Sequence, residues 1–219
     1  MLQHLILIPT ARELQIVGPI VGRAGADCVR IELCGFGIAA AAARTAQLLA
    51  VLAPARVLLV GSAGQFDAAY EIGKAYRFDR VASYGIGAGS GAAFIPAAAL
   101  GWPQWPGDPP AAAAAIGDTI ECSTGRVPEA PRADLLLTAC AAAADRSDVE
   151  ARKHLYPAAA AEDMEGFAVA LACRLAGTPL DIVRGISNLV GDRDKAHWQL
   201  TAALEAAADI AVRLLADSP

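Results

Sequence analysis

Apolar residues along this chain fall into two alternating patterns: short unbroken runs that suit buried strands, and longer stretches with a helical spacing. His4-Leu5-Ile6-Leu7-Ile8, closed by Pro9, is a run of the first kind, the mark of a strand covered on both faces in a mostly parallel sheet. A helix is expected after it, because Thr10 can cap the chain, Glu13 follows as in a capping box, and Gly18-Pro19 punctuates the segment. Asp27 to Leu33 alternates as a strand, Gly35-Phe36-Gly37 turns, and Ile38 to Leu52 reads as a long Ala/Leu helix closed near Pro54. Val57 to Val60 repeats the plan and breaks into Gly61-Ser62-Ala63-Gly64. That segment is expected as a small-residue loop at a strand's carboxyl end, where open α/β sheets place ligands.

Tyr76 to Tyr84 and Asp118 to Cys122 read as further strands, and Gly85 to Pro110, rich in Gly, Pro and Trp, as a long loop between them. Arg132 to Ala144 is predicted to be helical, Ala158 to Asp163 a short strand, and Glu165 to Leu175 a helix ended by Gly177. Leu180 to Ile186 is then a strand, and Lys195 to Leu215 the closing amphipathic helix. Strands alternating with helices predict an α/β fold, a three-layer α/β/α sandwich around a central mixed, mostly parallel sheet.

Composition narrows the picture. With 219 residues, 55% hydrophobic and 19% charged, the chain is too apolar to remain disordered, and its size suits one domain over residues 1–219. Much of the apolar content is alanine, and every apolar run is broken well before the roughly 20 residues of a membrane-spanning helix. Met1 to His4 has no positive n-region, so a cytosolic protein without membrane contact is expected. Against 23 Asp+Glu there are 18 Lys+Arg, a net charge of -5 without a basic run, so nucleic acid is not an expected partner. The five cysteines are scattered, which argues for small buried thiols rather than disulfides or a zinc cluster. His4, His154 and His197 form no constellation, and neither metal nor cofactor is expected.

Four segments that each follow a buried strand carry polar or glycine residues: Glu13, Gly61 to Gly64, Glu162-Asp163-Met164-Glu165, and Ser187-Asn188. In this order they resemble the purine nucleoside phosphorylase and nucleosidase superfamily, with its strand, glycine loop, Met-Glu pair and final Ser-Asp or Ser-Asn pair. The resemblance covers nearly the whole chain. Within that superfamily, Arg184-Gly185-Ile186-Ser187-Asn188-Leu189-Val190-Gly191-Asp192-Arg193-Asp194-Lys195, followed by Trp198, is similar to a signature of the futalosine hydrolase family. Glu162 to Ala168 is similar to that family's E-x-M-E-G-x-A segment. The resemblance implies hydrolysis of the N-glycosidic bond of futalosine, in menaquinone biosynthesis, to hypoxanthine and dehypoxanthinyl futalosine. It also implies a homo-oligomer, a dimer or tetramer.

Cleavage of that bond passes through a ribosyl cation with a departing purine, and so needs anionic help at the sugar, a donor at the base and a placed nucleophile. Glu165 can accept from two vicinal ribose hydroxyls, and is equally suited to the dipole at a helix start. Met164 is core filler by type and, by resemblance, the apolar floor under the ribose. Glu13 is a capping-box acid that, by resemblance, activates the attacking water. Ser62, Ala63 and Gly64 keep side chains small where backbone meets ligand, and Ser187 belongs to the base site by resemblance. Asn188 can donate to a purine O6 and accept from N7-H; by resemblance, nucleosidases that act on 6-aminopurines carry an aspartic acid at the matching place. Asp192 is read either as an N-cap or as support for the base site.

Phosphorylases of the related hexameric type carry a G-D-P-x-R segment and an arginine before V-G-S; here Leu59 precedes Val60-Gly61-Ser62, so water is the expected nucleophile. Gly85 to Gly91 is bare of charge, and the cations expected to meet the benzoate of futalosine are Lys74, Arg77, Arg80 and Arg126. Two alternatives stand beside this reading: a methylthioadenosine/S-adenosylhomocysteine-type adenine nucleosidase, and a non-catalytic nucleoside-binding protein of the same fold.

Overall fold

The computed structural model describes residues 2–23, 28–107, 115–122 and 130–216. In chain order the elements are β1 (His4–Ile8), α1 (Ala11–Val21), β2 (Val29–Leu33), α2 (Gly37–Leu52), β3 (Arg56–Gln65) and β4 (Ala75–Tyr84). A small hairpin, β5 (Gly87–Ala88) and β6 (Ile95–Pro96), precedes β7 (Thr119–Glu121) and β8 (Arg132–Ala139). The last third holds α3 (Arg146–Leu155), β9 (Ala159–Asp163), α4 (Gly166–Ala176), β10 (Leu180–Leu189) and α5 (Leu200–Ala216).

Every residue of β1 is buried, as its apolar run requires, and its side chains alternate between two cores. Leu5 and Leu7 join Leu48 of α2 and Phe167 and Val169 of α4, whereas Ile6 and Ile8 join Val17 of α1 and Leu204, Ala207 and Ala211 of α5. The main sheet is mixed. Parallel pairs link β1 to β2 and β3, β3 to β10, β4 to β8, and β8 to β9. Antiparallel pairs link β4 to β10 and β7, and β3 to β9. Because β10 pairs with both β4 and β3, the path β10-β4-β8-β9-β3 closes on itself, with β1 and β2 extending it. The β3–β9 contact is only Gly64 against Glu162 and Gln65 against Ala161, and it brings the carboxyl end of β9 to the carboxyl end of β3.

Several local expectations need correction. Arg132 to Ala139 is a strand, not the start of a helix: Leu135, Leu136 and Leu137 are all buried, which a one-faced helical stripe would not allow, between β4 and β9. Gly61 to Gly64 lies inside β3 rather than in a loop, and Ser187-Asn188 lies inside β10. The first helix runs through Pro19 to Val21, held by buried Val17 and Val21. The closing helix begins at Leu200, after a short helical turn at Lys195–His197. Of the cysteines, Cys34, Cys122 and Cys173 are buried but Cys28 and Cys140 are exposed, and all five are unpaired. No helix among the described residues is long and apolar enough to cross a membrane.

Candidate active site

A cleft of about 260 Å³ opens at the carboxyl ends of β1, β3, β9 and β10, lined among others by Thr10, Glu13, Ser62, Met164, Glu165 and Asn188. Glu13 is fixed there by the capping box that the sequence predicts. Its Oε2 accepts from Thr10 N (3.1 Å) and Thr10 Oγ1 (2.8 Å), while Thr10 Oγ1 accepts from Glu13 N (3.3 Å). The other carboxylate oxygen, Oε1, accepts from the backbone N–H and hydroxyl of Ser62, both at 2.9 Å. One buried carboxylate therefore caps a helix and ties that helix to β3.

Glu165 is buried at the N-cap of α4, and its Oε1 accepts from Gly37 N at 2.9 Å. Burial pushes its pKa up to about 7, helped by the nearby Asp163 charge and opposed by the Arg184 guanidinium and the Gly37 N–H. Arg184, fully buried on β10, donates to Asp163 Oδ2 from Nε (3.0 Å) and Nη2 (2.5 Å), and its Nη2 lies 3.7 Å from Glu165 Oε2. Asp163 also accepts at Oδ2 from Gly166 N (2.8 Å) and at Oδ1 from Thr138 Oγ1 (2.6 Å), so both of its oxygens are engaged. Gly61 makes room for this network. A Cβ there would come within 2.3 Å of Arg184 Nη1 and 3.0 Å of Glu13 Oε1. Arg184 Nη1 has no hydrogen-bond partner among the described residues.

Asn188 is placed by an irregularity. The β3–β10 register shifts between Ile186 and Asn188, so Ser187 is the extra residue of a bulge that re-aims the side chains after it. Asn188 Nδ2 donates to Leu189 O (2.8 Å) and Oδ1 accepts from Ser187 Oγ (2.7 Å). One N–H and one lone pair of the amide remain for a ligand. Asp192 is not among the residues lining the cleft. Its Oδ1 accepts from Asp194 N (2.9 Å), its Oδ2 bonds His197 Nδ1 (2.8 Å), and its carbonyl accepts from Trp198 Nε1 (3.2 Å).

These residues sit on a frame recognisable across the chain: the model of the phosphorylase superfamily matches residues 3–216. The chain belongs to that superfamily. It is 32% identical over 158 residues, 72% of this chain, to the futalosine hydrolase of Streptomyces coelicolor, and this match spans 64% of that protein's length. It is 30% identical over 183 residues to the 5'-methylthioadenosine/S-adenosylhomocysteine nucleosidase of a Marinomonas strain, covering 82% of this chain and 77% of that one. The structure of futalosine hydrolase from Helicobacter pylori superposes with a TM-score of 0.77 at 15% identity over 100% of this chain and 99% of its own, a likeness of fold.

Within this superfamily fold, the sequence reading missed the supporting residues. Thr138 lies in the segment predicted to be helical, and Arg184 and Asp163 lie inside the quoted motifs without an assigned task. A charged residue inside the apolar Leu180–Leu189 strand was the available signal. The expected benzoate cations do not gather at the cleft. Arg77 is buried against Asp181 (2.6 Å), Arg80 pairs with Asp134 (2.7 and 2.8 Å), and Lys74 lies in a separate depression beside Pro131 and Arg213. Arg126 lies outside the described residues. The cations that do line the cleft are Arg12 and Arg193.

Proposed function

We propose that this chain is a purine nucleosidase that uses water to cleave the N-glycosidic bond of futalosine, releasing hypoxanthine and dehypoxanthinyl futalosine. The observation that carries the reading is the Asn188 amide in a cleft that also holds Glu13 and Glu165. In this scheme the Glu165 carboxylate accepts from the ribose hydroxyls and stabilises the cationic sugar, with Met164 beneath the ring. Glu13 orients and deprotonates the attacking water, its carboxylate releasing the hydroxyl of Thr10 or Ser62 to receive it. Asn188 donates to O6 and, once N7 has taken a proton from solvent as the base departs, accepts from N7-H. A carboxylate would repel O6, so an amide favours a 6-oxopurine. We read residues 1–219 as one domain, with α1 and α5 on one side of the sheet and α2 and α4 on the other as the outer layers of an α/β/α sandwich.

An adenine nucleosidase is the second reading, favoured by the match to the Marinomonas 5'-methylthioadenosine/S-adenosylhomocysteine nucleosidase over 82% of this chain. Incubation with futalosine in phosphate-free buffer is expected to release hypoxanthine, with no gain from added phosphate. Strict phosphate dependence would overturn hydrolysis. Adenine release from methylthioadenosine without hypoxanthine release from futalosine would establish the second reading instead.

A further inference from the structure

One hydroxyl joins the two flanks of the Met164-Glu165 pair. Thr138, buried on β8, is the strand partner of Asp163 on β9. Its Oγ1 donates to Asp163 Oδ1 (2.6 Å) and accepts from Phe167 N (2.8 Å). The hydroxyl's only proton is thereby spent, and the chain is clasped on both sides of Glu165, where β9 ends and α4 begins. Gly166 admits this closeness, since a Cβ there would come within 2.9 Å of Asp163 Oδ2 and 3.1 Å of Thr138 Oγ1.

The same bond divides the work of the two Asp163 oxygens. Oδ1 faces the hydroxyl, and Oδ2 is left to take Arg184 Nε and Nη2 together with Gly166 N. Arg184 is therefore drawn onto Asp163 and stands 3.7 Å from Glu165 Oε2, beyond hydrogen-bond length. Glu165 Oε1 already accepts from Gly37 N, so Oε2 is the oxygen that a displaced Arg184 would take. An arginine bonded there would occupy that oxygen and cancel much of the charge that a cationic sugar needs.

We propose that Thr138 is a positioning residue for the reaction: by holding Asp163 in one orientation, it keeps Arg184 on that carboxylate and off Glu165. The inference rests on the nucleosidase reading for the part that Glu165 plays at the ribose. It adds a residue outside the lining of the cleft through which that part is set.

Thr138→Val keeps the branched shape and removes the hydroxyl, leaving Asp163 Oδ1 and Phe167 N without their bonds to it. Asp163 then turns away or takes a proton, and either response releases Arg184 toward Glu165 and weakens the negative field on it. Both make Glu165 easier to ionise. The other titratable groups facing Glu165, Glu13 on α1 and the Cys34 thiol after β2, keep their places.

The Glu165 titration is followed in the full chain without substrate, by NMR of isotope-labelled glutamate side chains, its signal assigned by its absence in Glu165→Gln. The midpoint, about 7 in the wild-type protein, is expected to fall by about one pH unit or more in Thr138→Val. It should stay in Thr138→Ser, which keeps the hydroxyl and loses the methyl. A role in packing alone gives the opposite order, because Val preserves the shape better than Ser. With futalosine, kcat should drop about tenfold in Thr138→Val with a smaller change in KM. The acid limb of kcat/KM should move to lower pH with the midpoint, and Ser should restore both. If Thr138→Val fails to fold, Thr138→Cys, whose thiol is a weak donor, takes its place in the comparison. An unmoved midpoint in the variant that lacks the hydroxyl, or an equal shift in Thr138→Ser, would overturn the inference. A shifted midpoint with no purine released from futalosine or methylthioadenosine would refute the nucleosidase reading and leave Thr138 as the residue that holds Arg184 off Glu165.

Discussion

Glu165 carries opposed demands that a single substitution separates. Its carboxyl, ordinarily near 4.5, is pushed up to about 7 by burial and by Asp163, so the folded protein holds this proton where the unfolded chain has released it. Between those values the folded state binds more protons, and the stability contributed by this group falls as pH rises. The ribose, by contrast, needs the ionised form, so turnover is expected to fall as pH drops below about 7. Glu165→Gln keeps an oxygen for Gly37 N and leaves Arg184 its Asp163 partner. It should lower kcat/KM by about 10²- to 10³-fold while Tm at pH 8 stays level or rises. Hypoxanthine release and circular dichroism melts at pH 6 and 8 check both halves, and unchanged turnover would return Glu165 to a helix-start role. Asn188→Asp sets an oxygen against Leu189 O, which the amide N–H now faces at 2.8 Å. That carbonyl favours a protonated acid. The 6-oxo substrate should lose at least about tenfold in kcat/KM, roughly 1.4 kcal/mol, while the 6-amino analogue loses less or gains, most clearly at low pH. The ratio of the two across pH 5 to 8 is the measurement, and an equal loss at every pH would deny Asn188 a part in reading the base.

At the scale of elements, the site depends on two long strands and on how closely helices approach them. β3 and β10 each extend ten residues, beyond the point where the sequence breaks into small and polar residues, because their partners continue to pair with them. Gly185 marks the close approach of α5. A Cβ there would lie 1.9 Å from Ala203 O and 2.3 Å from Ala203 C, backbone atoms that move only if α5 moves. Gly185→Ala is therefore expected to destabilise the fold by about 3 kcal/mol or more and to raise KM, since Leu200 at the start of α5 lines the cleft. Gly117→Ala, with no atom within 4 Å of the added methyl, should be nearly neutral. Urea unfolding of the pair checks this, and equal midpoints would show that the helix can yield.

Across the whole molecule, the cleft exists because strands remote in sequence end together, and this marks the division between what could be read and what could not. The buried run at His4 to Ile8, the capping box of Thr10 and Glu13, and the helix end at Gly177 were legible because short-range sterics and hydrogen bonding within a few residues decide them. The order of the motifs that carry Glu13, Glu165 and Asn188 was legible too, and the structure brings all three to one cleft. The strand at Arg132 to Ala139 was not legible: its Leu run is as good a helix as a strand until β4 and β9 supply partners on both edges. Nor were the bulge at Ser187, the closure of β10 onto both β3 and β4, or the shared use of Asp163 by Arg184, Thr138 and Gly166. Each of these depends on contacts between residues far apart along the chain. The sequence by itself determined the alternation of strand and helix outside Arg132–Ala139, and the chemical groups available, because both follow from local pattern. Only the tertiary structure decided which groups meet, since pairing register and burial belong to neighbours that the chain reaches after it has folded.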